Sequence, residues 1–291
     1  EGITKETFGT ASIIVCNHQS MLDSAVFMAL SPKTILVSNS KVSRNRVIRK
    51  IYQWNGFITL DDKNAINDAL IKDYIAHGYS LVVFPEGKRN DRSTISRFHK
   101  GAFLLAERYG LDIQPLIIHG LNVVLPRNSF QVFTGSIMVK GYERVRQDGH
   151  TTYSEMTSRV HTFYKKEYER LAREIETAAY FAPLVEDRYC YKGVEIYRSV
   201  HKNIKRNNCF TRWIDTSESS SAVLIKNNDN GEFALLYALV HPSTLVTVLE
   251  EDESKRALLT YCAKGIADNL QVTDHVDMKE AEEAGIKIIS L

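Results

Sequence analysis

The stretch "SIIVCNHQSMLD", residues 12–23, places a short run of β-branched residues directly before a histidine and an aspartate. The run is typical of a buried β-strand. His18 and Asp23 follow it, five positions apart. The stretch therefore predicts a strand, then a loop that carries His18, and then a helix that begins near Asp23.

The spacing of these two residues decides how they can interact. On one continuous helix, residues five apart point about 140° away from each other, because each residue advances by about 100°. They meet if His18 lies on the loop and Asp23 in the first helical turn. The carboxylate then accepts one ring N–H and raises the basicity of the other nitrogen, which makes His18 a general base. The alternative is a histidine that caps the helix beside an unrelated surface aspartate.

A second stretch, "LVVFPEGKRN" of residues 81–90, ends another apolar strand with an acid, a glycine and two cations. Gly87 lets a ligand approach the backbone closely, and the guanidinium of Arg89 matches phosphate oxygens in pairs. Glu86 and Lys88 lie on either side of the glycine. The stretch therefore predicts a loop that binds an anion where the strand ends.

The sequence does not fit two other kinds of site. A phosphate-binding Walker loop needs a glycine where Val82 stands and a serine or threonine where Arg89 stands. A serine hydrolase needs the pattern G-x-S-x-G, and the sequence "TGSIM" around Ser136 does not fit it.

Short β-branched runs alternate with helical patterns along the first part of the chain, which is the order of an α/β layer fold. Strands are predicted over residues 12–15, 34–37, 57–60, 80–84, 113–118 and 136–139. Helices are predicted over residues 63–77 and 100–109, each followed by a glycine. After Gly149 comes one long polar helix with an apolar stripe formed by Met156, Val160, Phe163, Leu171 and Ile175.

The stretch "YFAPLVEDRYCYKG", residues 180–193, interrupts this periodicity at Pro183 and is interpreted as a connector. A second α/β series follows, with elements over residues 222–225, 233–239, 245–249, 254–262, 270–272, 278–284 and 286–291. We therefore predict two domains, residues 1–182 and residues 183–291.

Composition narrows the function classes. The formal charge of +2 gives no general reason to expect a nucleic-acid partner. Four cysteines without metal-ligand spacing predict a reducing, cytoplasmic setting and no zinc site. No apolar run is long enough for a membrane-spanning helix, which needs about 20 residues. Because the chain begins at Glu1 without a methionine, we expect a piece of a longer polypeptide.

The paired stretches "NHQSMLD" and "FPEGKRN" resemble the signatures of the glycerolipid acyltransferase family, typified by lysophosphatidic acid acyltransferases. The family's patterns are H-x4-D and F-P-E-G-T-R. The resemblance continues to Gly120, with Pro115 at the family's late proline block, and covers about the first 180 residues. It implies a mixed sheet flanked by helices and a role in phospholipid biosynthesis.

The resemblance also implies a reaction. An acyl group passes from acyl-CoA or acyl carrier protein, as co-substrate, to a hydroxyl of a lysophospholipid or glycerol-phosphate-like acceptor, without a metal or other cofactor. His18 is then the base and Asp23 orients it. Glu86, Gly87, Lys88 and Arg89 form the acceptor site, with Lys100 as a further candidate. The alternative is a catalytically silent scaffold that binds lipid or a partner.

Two departures from the family bear on the acceptor. The family's middle block ends in arginine, whereas "GFITLDD" places Asp62 there. Lys88 occupies the usual threonine position. An anion thus replaces a cation that would help to hold glycerol phosphate, so acyl transfer is more firmly implied than the identity of the acceptor.

The stretch "SKVSRNRVIRKIYQWNGF", residues 40–57, interleaves five cations with apolar and aromatic residues. Such a segment fits an anionic lipid surface. It predicts peripheral contact with the inner face of a membrane, the alternative being a solvated helix. A nucleic-acid site is not expected, since no recognition fold accompanies the segment.

The second domain resembles a small, incomplete Rossmann-like module of the class I S-adenosylmethionine methyltransferase type. Of the family's glycine loop only Gly231 is present, because Asn227 and Asp229 replace the earlier glycines. Glu250 or Glu251 is a weak candidate for the ribose-binding acid. We expect a degenerate module with a structural or partner-docking role. The whole arrangement resembles bacterial fusion polypeptides in which an exporter-like membrane part comes first.

Overall fold

The computed structural model forms two compact units. One comprises Glu1–Phe130 with Ile137–Ala172, and the other Gln131–Ser136 with Arg173–Leu291. The residues that the structure describes are 1–39, 58–60, 65–90, 94–126, 131–206, 208–218, 220–226 and 229–290.

The first unit is built on a six-stranded mixed sheet, in agreement with the predicted α/β fold. Its strands are β1 (Ile13–Cys16), β2 (Thr34–Asn39), β3 (Ile58–Leu60), β4 (Ser80–Val83), β5 (Ile113–His119) and β6 (Met138–Gly141). Their order across the sheet is β3-β2-β4-β1-β5-β6. All neighbouring strands run parallel except β6, which is antiparallel to β5.

Strand β1 lies between β4 and β5, and each of its four residues is buried. This burial explains its uninterrupted apolar sequence, because a central parallel strand is covered on both faces. Val15 is in register with Val83 of β4 and with Pro115 of β5. The chain therefore leaves β1 and β4 at the same edge of the sheet, and this edge brings the two sequence motifs together.

Besides a short 3-10 helix at Lys5–Phe8, five α-helices of the first unit are described: α1 (Asp23–Leu30), α2 (Ala65–Ala76), α3 (Gly101–Tyr109), α4 (Leu121–Val124) and α5 (Tyr153–Ile175). Helix α3 ends at Gly110, whose φ of 62° is left-handed, as the glycine signal predicts. Helix α5 is the predicted long polar helix. Its buried stripe contains Met156, Val160 and Leu171, but also Tyr164 and Tyr168, which the apolar pattern does not reveal.

The second unit contains a four-stranded parallel sheet in the order β10-β7-β8-β9. Its strands are β7 (Ala222–Lys226), β8 (Leu245–Leu249), β9 (Leu270–Thr273) and β10 (Lys287–Ser290). Its helices are α6 (Ala178–Tyr189), α7 (Val194–Arg206), α8 (Asn208–Thr216), α9 (Glu232–Val240), α10 (Glu253–Ala263) and α11 (Met278–Glu283). The strand order is that of the first four strands of a doubly wound sheet, although this order alone does not make a cofactor site.

The predicted connector of residues 180–193 is wrong in its first part, because Pro183 lies inside helix α6. An internal proline costs a helix about 3 kcal/mol. Burial of Phe181, Leu184 and Val185 outweighs this cost, since each such side chain contributes about 1.5–3 kcal/mol. The predicted domain boundary between residues 182 and 183 therefore falls within a helix, and the longer segment of the second unit begins at Arg173.

Within the described ranges, no helix combines the length and the apolar composition that crossing a membrane requires. The predicted lipid-contact segment, residues 40–57, and the departure at Asp62 both lie outside the described residues.

Candidate active site

His18 and Asp23 form a hydrogen-bonded pair at the carboxyl end of β1. The distance from His18 Nδ1 to Asp23 Oδ2 is 2.6 Å. Asp23 is the first residue of α1 and is fully buried, whereas His18 lies on the loop before it. The same Oδ2 atom also accepts the N–H groups of Gln19 and Ser20, at 2.7 and 3.1 Å. The predicted loop-and-first-turn geometry is confirmed, and three donors fix the position of one carboxylate oxygen.

This pairing determines which ring nitrogen of His18 can act as a base. Because the carboxylate accepts, Nδ1 carries the proton of the neutral ring and Nε2 keeps its lone pair. The ring stacks on Phe84, with centroids 4.4 Å apart and planes inclined by 19°. The side chain of His18 remains 24% exposed. The imidazole is therefore held in place while its second nitrogen stays available to a substrate.

The second motif forms a tight turn at the end of β4. Gly87 donates its N–H to the carbonyl oxygen of Phe84 at 3.1 Å, with Pro85 in the second position of the turn. The φ of Gly87 is 67°, and a Cβ added there would lie 3.0 Å from the ring of His99. Both observations require glycine at this position.

This turn clamps the main chain of His18 from two sides. Glu86 Oε1 accepts the N–H of His18 at 3.0 Å, and the N–H of Asn90 donates to the carbonyl oxygen of His18 at 2.7 Å. Oε2 of Glu86 accepts the N–H of Ser96 at 2.8 Å. Burial raises the pKa of the Glu86 carboxyl. The sequence predicts substrate binding for Glu86. In the structure both of its oxygens accept hydrogen bonds from within the protein, from the main chains of His18 and Ser96.

Two amide side chains beside His18 are further positioning residues that the sequence analysis does not identify. Asn17 donates to the carbonyl oxygen of Ile118 and accepts its N–H, both at 2.8 Å. Gln19 accepts the N–H of Leu121 at 3.1 Å. Asn17 thereby continues the pairing of β1 with β5 beyond the end of the strand. The sequence signal is the alternation Asn-His-Gln after a buried strand, in which the two amides turn inward and the imidazole outward.

The predicted cations lie on and near the turn. Lys88 is exposed and Arg89 is half-buried, and no described acid pairs with either of them. Lys100, at the start of α3, is exposed, and its Nζ lies 5.8 Å from the centroid of the Tyr153 ring. Its neighbour His99 packs on Gly87. The turn that carries Gly87, Lys88 and Arg89 is thus hydrogen-bonded to the main chain of His18 through Glu86 and Asn90, which flank these three residues. Lys100 follows His99 in the chain.

The weak cofactor candidates of the second unit have internal contacts instead. Gly231 has a φ of 89°, and an added Cβ would lie 2.6 Å from Leu259. Glu250 accepts the N–H of Asp252 at 3.0 Å. The nearby Glu232 is buried and accepts a hydrogen bond from Asn203 at 2.7 Å, and burial raises its pKa. Among the described residues, no group of three or more potential ligands is placed to hold a metal ion.

Comparison with known proteins matches residues 3–119 to the family model described as Acyltransferase. The 1-acyl-sn-glycerol-3-phosphate acyltransferase of Helicobacter pylori is 28% identical over 183 residues, which are 58% of this chain and 77% of the relative. The enzyme of the same name from Cocos nucifera is 27% identical over 149 residues, 49% of this chain. This chain spans about half of the Cocos enzyme, at 48%.

Among solved structures, the 1-acyl-sn-glycerophosphate acyltransferase PlsC of Thermotoga maritima is similar to this chain with a TM-score of 0.49 and 22% identity. The match covers 58% of this chain and 70% of that one. Both sequence motifs lie within residues 3–119. The segment that matches the Acyltransferase family model therefore contains His18, Asp23 and the turn at Gly87.

Proposed function

We propose that this chain, whose residues 3–119 match the Acyltransferase family model, transfers a fatty acyl group from acyl-CoA or acyl carrier protein to a lipid hydroxyl. The acceptor class is a lysophospholipid or a glycerol-phosphate-like lipid. The observation that carries the proposal is the 2.6 Å contact between His18 Nδ1 and Asp23 Oδ2 beside a cationic turn. The names of the relatives support the same acceptor class.

The geometry supports a direct transfer. His18 Nε2 removes the proton of the acceptor hydroxyl as the oxygen attacks the thioester carbonyl carbon. The tetrahedral intermediate then expels the thiolate, which takes the proton back from the imidazolium. Asp23 stabilises the imidazolium while it exists. One C–O bond forms and one C–S bond breaks, and the oxidation state of the carbonyl carbon does not change, so the reaction needs no oxidant.

A covalent acyl-enzyme is disfavoured by the nearest thiol. Cys16 lies two residues before His18 and is fully buried. Burial, with the charge of Asp23 as a smaller cause, raises the pKa of this thiol well above its usual value. Because the thiolate is the nucleophilic form, Cys16 is a poor candidate for carrying the acyl group.

Gly87, Lys88 and Arg89, with Lys100, are proposed to bind the anionic headgroup of the acceptor. A guanidinium binds phosphate oxygens in pairs, and a glycine lets the headgroup approach the backbone. The main chain of the same turn holds His18, so a bound headgroup lies near the base. Glu86 is assigned to positioning within this site.

The lipid acceptor also places the protein, in this proposal, at a membrane surface on the cytoplasmic side. Support comes from the outer face of α1, where Met28 is 49% exposed and Ala25 and Ala29 are exposed as well, and from Met21, which precedes the helix and is 58% exposed. An uncharged apolar surface beside the base suits contact with lipid. If the protein does not float with anionic vesicles that carry the acceptor, this part of the proposal fails.

The second unit is proposed to be a degenerate methyltransferase-like module with a structural or docking role. The contacts of Gly231 with Leu259 and of Glu250 with Asp252 support this assignment. Calorimetry with S-adenosylmethionine should detect no binding heat, and saturable binding would contradict the assignment.

An acceptor panel tests the function. Thiol release from one acyl-CoA and one acylated carrier protein is measured with lysophosphatidate, glycerol 3-phosphate and uncharged monoacylglycerol as acceptors. Release should depend on an anionic acceptor, and Arg89→Gln should raise the acceptor KM by about tenfold or more, since a charge-assisted hydrogen bond contributes about 1.5–3 kcal/mol.

The exposed Arg159 supplies a matched control, and Arg159→Gln should leave the acceptor KM unchanged. If thiol is released at the same rate with and without an acceptor, acyl transfer to the acceptor is contradicted. An undiminished affinity of Arg89→Gln would remove Arg89 from the acceptor site.

A further inference from the structure

We infer that one face of helix α5, formed by His161, Tyr164 and Tyr168, positions the loop between β1 and α1 that carries His18. These residues are spaced i, i+3 and i+7 and therefore share a face of the helix. They lie beyond residues 3–119, the part that matches the family model. Each directs a polar atom to a different segment that holds His18. The expected effect on turnover rests on the proposed function.

Tyr168 acts through the residue next to the base. Its hydroxyl accepts from Gln19 Nε2 at 2.6 Å. Gln19 is 2% exposed, and its own N–H donates to Asp23 Oδ2 at 2.7 Å. The Tyr168 hydroxyl is thus separated from the His18–Asp23 pair by a single residue. Its removal takes a hydrogen bond from a buried amide, which is costly because water cannot replace it.

Tyr164 lies between the carboxyl end of β1 and the middle of β5. Its fully buried hydroxyl accepts the N–H of Leu116 at 3.0 Å and lies 2.6 Å from the carbonyl oxygen of Val15. Burial raises the pKa of this hydroxyl well above its usual value, so it stays protonated and can donate. Tyr164 therefore joins β1 to β5 where the loop of His18 begins.

His161 acts through the second motif. Its Nε2 donates to the carbonyl oxygen of Ser96 at 3.1 Å, and its ring packs against Phe98 with centroids 5.0 Å apart. The N–H of Ser96 donates to Glu86, and Glu86 accepts the N–H of His18. A continuous path of three hydrogen bonds therefore joins α5 to the main chain of the base.

Two of the segments that the contacts of α5 hold in place are loops, and a loop depends on such contacts for its position. The described residues 84–90 and 94–99 contain no helix or strand and depend on side-chain anchors for their position. Loss of one anchor moves the base relative to the acceptor, and a displacement of about 1 Å can lower a rate about 10²-fold. Lys88 and Arg89 keep their charges when an anchor is lost, so we expect a smaller effect on acceptor binding than on turnover.

The test compares turnover in three test variants and two controls. Tyr168→Phe and His161→Ala should each lower kcat by about tenfold or more while the acceptor KM changes less than about twofold. His161→Gln should restore most of kcat, because a glutamine amide nitrogen reaches the position of the histidine Nε2. Tyr74→Phe, on α2, and the exposed His150→Ala are the matched controls and should keep the wild-type rate.

A second measurement is independent of turnover. In 13C-labelled histidine spectra, the ring signals of His18 should broaden or shift in Tyr168→Phe and His161→Ala, and should stay unchanged in both controls. A wild-type protein that transfers no acyl group would overturn the proposed function alone, since these spectra still report on positioning. Unchanged His18 signals in both variants, or a His161→Gln variant as slow as His161→Ala, would overturn the inference about α5.

Discussion

Replacement of His18 by alanine should lower the rate of acyl transfer by about 10²–10⁴-fold, the range that general-base catalysis usually contributes. The imidazole is the one group in the described part of the site that combines a free nitrogen lone pair with a fixed orientation. Without it, water must accept the proton of the acceptor hydroxyl. The measurement is thiol release from the preferred donor at saturating acceptor.

His150→Ala is the matched control, because His150 is exposed and has no place in the site. It should keep the wild-type rate and the wild-type thermal stability. The acceptor affinity of the His18 variant should also be unchanged, since the cationic turn is intact. If His18→Ala turns over as fast as His150→Ala, the general-base assignment fails. If the wild-type protein itself releases no thiol with any acceptor, a catalytically silent scaffold becomes the better interpretation.

Asp23→Asn should lower the rate by about 10²-fold through loss of charge, with little change in geometry. A single oxygen, Oδ2, accepts from His18, Gln19 and Ser20. An asparagine that places its carbonyl oxygen there keeps all three hydrogen bonds and the same histidine tautomer. It no longer carries the negative charge that stabilises the imidazolium.

Asp23→Ala provides the comparison for this prediction. It removes the acceptor as well as the charge and leaves two buried N–H groups unpaired, so its rate should fall further than that of Asp23→Asn. The difference between the two variants measures the contribution of geometry. A rate for Asp23→Asn equal to that of the wild-type protein would show that the charge of Asp23 has no part in the reaction.

The pairing of His18 with Asp23 is predictable from the sequence because both residues lie within one short segment, and a strand-loop-helix pattern limits how they can meet. The clamp on the His18 main chain is not predictable in this way. It depends on β1 and β4 being neighbours in the sheet, with Val15 opposite Val83, and this register is set by non-local packing. The same reason explains why Glu86 is predicted to bind substrate although it faces the protein.

The buried tyrosines of α5 and the proline of α6 show a second limit of prediction from sequence. Tyr164 and Tyr168 continue the apolar stripe only in three dimensions, where the hydroxyl of Tyr164 finds a partner on β5 and that of Tyr168 a partner in Gln19. Pro183 reads as a helix breaker, but the surrounding apolar residues pack well enough to keep the helix. In both cases tertiary contacts override the local preference.

The alternation of elements from residue 222 onward is predicted correctly, because each element is short and strongly patterned, whereas the helices α6, α7 and α8 before it are not predicted. The position of the candidate cofactor residues is also as expected, but their surroundings do not favour a ligand. Gly231 and Glu250 occupy expected positions after β7 and β8, and the structure supplies contacts for both from within the unit. Position at the end of a strand is therefore a weak indication of binding when the surrounding side chains fill the space.

Long-range 1H–15N NMR correlations of the His18 ring test the central claim most directly, because they report which nitrogen carries the proton. For the neutral ring, the structure predicts a protonated Nδ1 and an unprotonated Nε2, in the wild-type protein and in Asp23→Asn alike. A neutral ring protonated at Nε2 would contradict this account, since no lone pair would then face the acceptor hydroxyl.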